Sequence, residues 1–146
     1  VRELQQLGAG SGGAGKGRGM AGVEIKRIYE DPAPEDGERV LVDRLWPRGV
    51  SRERARLDAW NKEVAPSPEL RKWFGHDPER FAAFTERYRE ELDGSEDAAA
   101  FAAHCAEVGA AGGRVTLLYA AHDPAVNHAL VLKAWLDDQQ GKGAQA

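Results

Sequence analysis

The chain is short of cysteine, of uninterrupted apolar sequence and of positive charge, and each shortage excludes something. Its one cysteine, Cys105, has no partner for an internal disulfide and cannot support a multi-thiolate zinc site within one chain. No apolar run approaches the roughly 20 residues of a membrane-spanning helix. The opening VRELQQLG mixes charge with glycine where a secretory signal needs an apolar stretch, so a cytoplasmic protein with no membrane partner is expected. Lys and Arg number 20 against 24 Asp and Glu, giving a formal charge of −4. That balance argues against a protein that coats nucleic acid, while leaving room for a local basic patch.

With 146 residues, 42% hydrophobic and 30% charged, the chain suffices for one soluble domain with its own core. Residues 1–22 read as a disordered leader, because 8–22 (GAGSGGAGKGRGMAG) hold nearly half of the glycines and little that can pack. Gly10 to Lys16 fits the spacing of a phosphate-binding loop, but Gly17 replaces the hydroxyl residue that would hold magnesium and no strand precedes it. We read it as linker and expect no cofactor; Met20 is a candidate start of the native protein. The ordered domain is placed at 23–138, with 139–146 a flexible tail.

From Val23 to Tyr29 apolar residues alternate as in a strand. The loop Glu30 to Gly37 follows, and then Arg39 to Asp43, a more continuously apolar strand suited to a sheet interior. Ser51 is placed to cap a helix carrying Leu57, Trp60 and Val64, which Pro66 ends. Ser67-Pro68-Glu69 opens another, ending at Gly75. Phe81, Phe84, Tyr88 and Leu92 mark one face of a longer helix, and a further helix from Glu96 to Val108 buries Phe101, Cys105 and Val108. Arg114 to Tyr119 reads as the third strand. Asp123-Pro124 is read as the cap of a final helix through Leu130, Leu132, Trp135 and Leu136. Long helical stretches between strands imply crossovers. The expected fold is therefore α/β: a small three-layer-like domain with a short, mainly parallel sheet and flanking helices. The short connection after the first strand leaves that strand free to run antiparallel to the second.

If the second and third strands are parallel neighbours, the loops at their carboxyl ends adjoin, where open α/β sheets bind ligands. This would bring Asp43, Arg44, Trp46 and Arg48 near Tyr119, His122, Asp123, Asn127 and His128, with His76 a further candidate. Such a group offers cations for an anion, an aromatic face and imidazoles that carry protons near neutral pH. Structural roles compete at each position. Asp43 and Arg44 can form an ion pair or brace the loop, Trp46-Pro47 can plug the core, and the aspartates of both His-Asp-Pro repeats, at 76–78 and 122–124, can cap helices. Arg48, beside Gly49, is the best exposed of the cations. Asn127-His128 opens the last helix, whose amides favour an anion. His76, His122 and His128 lack any metal-site spacing, and none is assigned to a metal.

The segments VLVDRLWPRG, APSPELRKWFGHDPERF and VTLLYAAHDPAVNHALVL together resemble the uncharacterised bacterial YeaO-like family, a domain of unknown function of the DUF488 type. The resemblance spans roughly residues 23–136. It implies a small cytoplasmic α/β domain and carries no reaction with it. Asn61 stands where a leucine is usual, and His122 where a lysine or arginine usually precedes Asp123, which favours an anion contact over an obligatory base at 122. The expected function is binding of a small anionic or phosphate-bearing ligand, with enzymatic turnover open. The alternative is a nucleic-acid or regulatory module using the Arg44–Arg56 segment, with Trp46 and Trp60 as stacking surfaces.

Overall fold

The computed structural model describes residues 22–145; the leader, its phosphate-loop spacing and Met20 lie outside the described residues. Four strands, β1 (Val23–Arg27), β2 (Glu38–Leu41), β3 (Ala59–Trp60) and β4 (Val115–Tyr119), form one sheet in the order β1-β4-β2-β3. Every pairing is parallel, with Val23 and Glu38 both opposite Val115, and Leu41 opposite Leu118 and Trp60. The parallel adjacency of the second and third expected strands, now β2 and β4, is thus observed. The first strand is parallel as well, and its neighbour is β4. The connection from 28 to 37 therefore passes from the carboxyl end of the sheet back to its amino end.

β4 is buried along its whole length, as a central parallel strand must be. Five helices flank the sheet: α1 (Arg52–Ala55), α2 (Pro68–Phe74), α3 (Phe81–Asp93), α4 (Glu96–Ala110) and α5 (His128–Gln145). Val23, Val40, Leu117 and Tyr119 pack with Phe84, Tyr88, Phe101, Leu132 and Leu136 from the long helices on one face. On the other, Ile28, Leu41 and Leu118 meet Val50, Ala55, Trp46 and Trp60, so short segments cover that side. Ser67 and Ser95 cap α2 and α4 by accepting the amides of Leu70 and Ala98.

The single helix expected between Ser51 and Val64 does not form. It stops at Ala55, where Arg56 takes up left-handed backbone (φ 49°), and the chain turns into β3. Asp58 donates its amide to Arg39 O, and Asn61 donates to Leu41 O. Pairing with β2 thus supplies the partners a helix would have found locally. The final helix also starts later than Asp123-Pro124 suggested. Asp123 accepts the Ala125 amide in a tight turn, and Asn127 Oδ1 accepts the Leu130 amide as the actual cap. At its other end α5 runs on to Gln145, beyond the boundary read at 138.

The return connection is pinned by Asp36. Its carboxylate accepts from Lys26 Nζ (3.0 and 3.1 Å), Arg39 Nη1 (2.6 Å) and the Ala33 amide (3.0 Å). Arg39, 5% exposed, also donates to the carbonyls of Ala55 and Arg56. Burial alone would raise the Asp36 pKa, but the Ala33 amide and the two cations outweigh it and hold it below the ordinary 3.8. Next in the chain, Gly37 has φ 65°, and a Cβ there would lie 2.3 Å from Arg114 O. Gly37→Ala is expected to lose at least about 2 kcal/mol, read as a lowered urea midpoint, because backbone strain and a backbone clash coincide.

Candidate functional site

The loops leaving β2 and β4 meet at the carboxyl edge of the sheet and, with α2 and the start of α5, enclose a cleft of about 790 Å³. Asp43, directly after β2, joins the strand ends. Its Oδ2 accepts the Ala120 amide (3.0 Å), and its carbonyl accepts Trp60 Nε1 (2.8 Å). Oδ1 is buried and lies 3.2 Å from His128 Nε2, without hydrogen-bond geometry to any described residue. His128 Nε2 is 3.0 Å from the Val42 carbonyl. A carbonyl only accepts, so Nε2 carries the proton.

Arg44 braces the loop rather than pairing with Asp43, donating to the carbonyls of Ala65 and Pro66 (3.2 Å each). Trp46 is also partly structural: its Nε1 donates to Val50 O (2.7 Å), and its ring meets Trp60 edge-on at 5.3 Å. Pro47 is buried beside it, while Arg48 is exposed on the rim and its carbonyl accepts Tyr29 Oη (3.0 Å). Opposite, His76 follows the αL cap Gly75 and is itself left-handed (φ 60°), a conformation that costs a residue with a Cβ about 1 kcal/mol or more. His122 and Asp123 stand exposed on the β4 side.

Eight of the ten residues named from the sequence therefore line one cleft: Asp43, Arg44, Trp46, Arg48, His76, His122, Asp123 and His128. Two do not. Tyr119 points into the core, where burial pushes its hydroxyl pKa up, and Asn127 is spent on capping α5 and bonding the Asp123 carbonyl. The sequence reading missed Tyr29, Arg71, Lys72, Phe74 and Phe84. Arg71 and Lys72 lie on the exposed side of α2, and nothing in their spacing separates them from ordinary solvated cations. Phe74 and Phe84 stack at 4.1 Å as part of the apolar wall.

Arg48, Arg71 and Lys72 have no acidic partner among the described residues, so the rim carries uncompensated positive charge. The lining contains no serine, threonine or cysteine. Cys105 sits on α4 in the core, where burial, with a smaller contribution from Glu38, pushes its thiol pKa up to about 12. Among the described residues no cluster of three or more His, Cys, Asp or Glu side chains is placed to hold a metal ion, and no helix is long and apolar enough to cross a membrane.

A four-stranded parallel sheet flanked by helices, with a cationic cleft at the strand carboxyl ends, defines a small α/β domain. Residues 22–145 match the family described as "Inactive DUF488-N3 subclade". The chain is 47% identical over 117 residues to an uncharacterized protein of Mycobacterium tuberculosis, covering 79% of this chain and 93% of that one. It is 43% identical over 114 residues to the uncharacterized protein YeaO of Escherichia coli, covering 78% and 96% respectively. The chain belongs to the YeaO-like DUF488 family. No solved structure matches it.

Proposed function

We propose that this domain binds a small anionic or phosphate-bearing ligand in the cytoplasm and does so without turning it over. The reading is carried by three cations, Arg48, Arg71 and Lys72, which have no acidic partner among the described residues and stand on the rim of one cleft with an apolar wall. Ligand sites are commonly of this kind, concave and largely apolar with a few polar groups that fix orientation. The amino end of α5 borders the same cleft through His128. The family's description as inactive supports binding over catalysis.

The arginines of 44–56 serve separate tasks, which leaves the nucleic-acid reading without a specific observation in its favour. Arg44 braces a loop, Arg52 lies 4.5 Å over the Trp46 ring, and Arg54 pairs with Asp31.

The test is calorimetry with inorganic phosphate, pyrophosphate and a panel of phosphorylated small molecules. Arg48→Ala/Arg71→Ala/Lys72→Ala should bind any hit at least about 100-fold more weakly, since each charged hydrogen bond is worth about 1.5–3 kcal/mol. All three side chains are exposed, so the unliganded melting temperature should barely move. Equal affinity in both proteins overturns the proposal. Steeply salt-dependent binding of an oligonucleotide in place of any small anion would establish the alternative.

A further inference from the structure

We infer that the ligand is an anion that also carries a hydroxyl group, and that His128 is the residue selecting for it. This rests on the anion-binding reading and adds a second recognition element on the cleft wall. The Val42 carbonyl holds the Nε2 proton of His128 at 3.0 Å, with Asp43 Oδ1 at 3.2 Å beside the same atom. One ring nitrogen is thereby committed to the protein, and in the neutral ring the other, Nδ1, is a pure acceptor.

Nδ1 has no partner among the described residues. Nor is it among the buried side-chain atoms that lack one, which there are Asp43 Oδ1 and Gln140 Nε2. Nδ1 therefore keeps some exposure to solvent, and His128 is one of the residues lining the cleft. The Asp43 carboxylate beside Nε2 favours the tautomer that keeps the proton on that nitrogen. Asp43 acts here as a positioning residue: Oδ2 anchors it to the Ala120 amide, which leaves Oδ1 turned to the imidazole. The other charged groups of the lining are donors, apart from Asp123 on the exposed rim. An acceptor on the wall with cations around the mouth suits a hydroxylated phosphate ester better than a bare anion.

Matched probes test this: 3-hydroxypropyl phosphate against propyl phosphate, and 2-hydroxyethyl phosphate against ethyl phosphate, measured by calorimetry. The wild type should prefer the hydroxylated member of at least one pair by about tenfold or more, the range of a single hydrogen bond made or missed. His128→Phe should bring that preference within twofold, read as the ratio of affinities within each pair. Asp43→Asn should reduce the preference in the same selective way. A long-range proton–nitrogen spectrum of the wild-type imidazoles, which needs no variant to fold, should show His128 as the Nε2–H tautomer. Equal binding within both pairs, or an Nδ1–H tautomer, overturns the selection by His128 while the anion site stands. If no phosphate binds, the anion site falls and this inference with it.

Discussion

Asp36→Ala is expected to cost about 3–5 kcal/mol, the range seen when one member of a buried ion pair is removed. Arg39 would keep its bonds to the Ala55 and Arg56 carbonyls, but its guanidinium, 5% exposed as a residue, would lose the one carboxylate it pairs with among the described residues. Lys26, closer to solvent, would recover part of its hydration. For a domain of this size the melting temperature should fall by about 10–20 °C, measured by calorimetric scans at neutral pH. The pH dependence has a definite sign. Asp36 is held below its ordinary 3.8 in the folded protein, so the unfolded chain binds its proton more readily. Its stabilising contribution is complete above that value and is lost as pH falls through the lower folded value. As the pH falls below the ordinary 3.8, the wild type should lose stability more steeply than Asp36→Ala. Parallel acid curves would refute the assignment.

Phe84→Ala should be as damaging, by about 3–5 kcal/mol, through a different mechanism. The ring is fully buried, stacked on Phe74 at 4.1 Å and 15°, and 5.6 Å from Tyr88. Truncation leaves a void where α2 meets α3. Because Phe84 also walls the cleft, the void would enlarge the space beside His76 and His128. Urea titration reads the loss of stability. Phosphate calorimetry on whatever remains folded should show weakened binding, although the cations on the rim are untouched. A loss under about 1.5 kcal/mol would mean that the helices close over the gap.

Legibility in the sequence followed the range of the interactions. α2 and α4 carry their caps locally and α3 its apolar spacing, and Ser67, Gly75, Ser95 and the Phe84-Tyr88-Leu92 face do what their positions imply. β2 and β4 were readable because buried parallel strands are nearly continuous apolar runs. β3 was not, since Leu57, Trp60 and Val64 satisfy helical spacing and only pairing with β2 overrides it. The two His-Asp-Pro repeats show the same limit. Asp77 starts a single 3₁₀ turn and Asp123 a tight turn, and neither caps a long helix, because Arg80 and Asn127 stand immediately before α3 and α5. At the site, adjacency of the strand ends was enough to gather seven residues, and His76 joins them from the end of α2. Arg71 and Lys72 belong to the cleft only because α2 docks beside it.

The order β1-β4-β2-β3 has a consequence for how the molecule is made. β1 pairs only with β4, and β2 has β4 as its inner neighbour, so both await a strand synthesised more than 70 residues after them. During translation the amino-terminal third of the domain leaves the ribosome with apolar strands and no sheet to join. Closing such long loops is slow, and unpaired edges are open to association meanwhile. The cleft, walled by the segment just beyond β4 and the start of α5, is then one of the last parts of the molecule to exist. A chain interrupted before Val115 would keep at most the short β2–β3 pairing and would have no complete site.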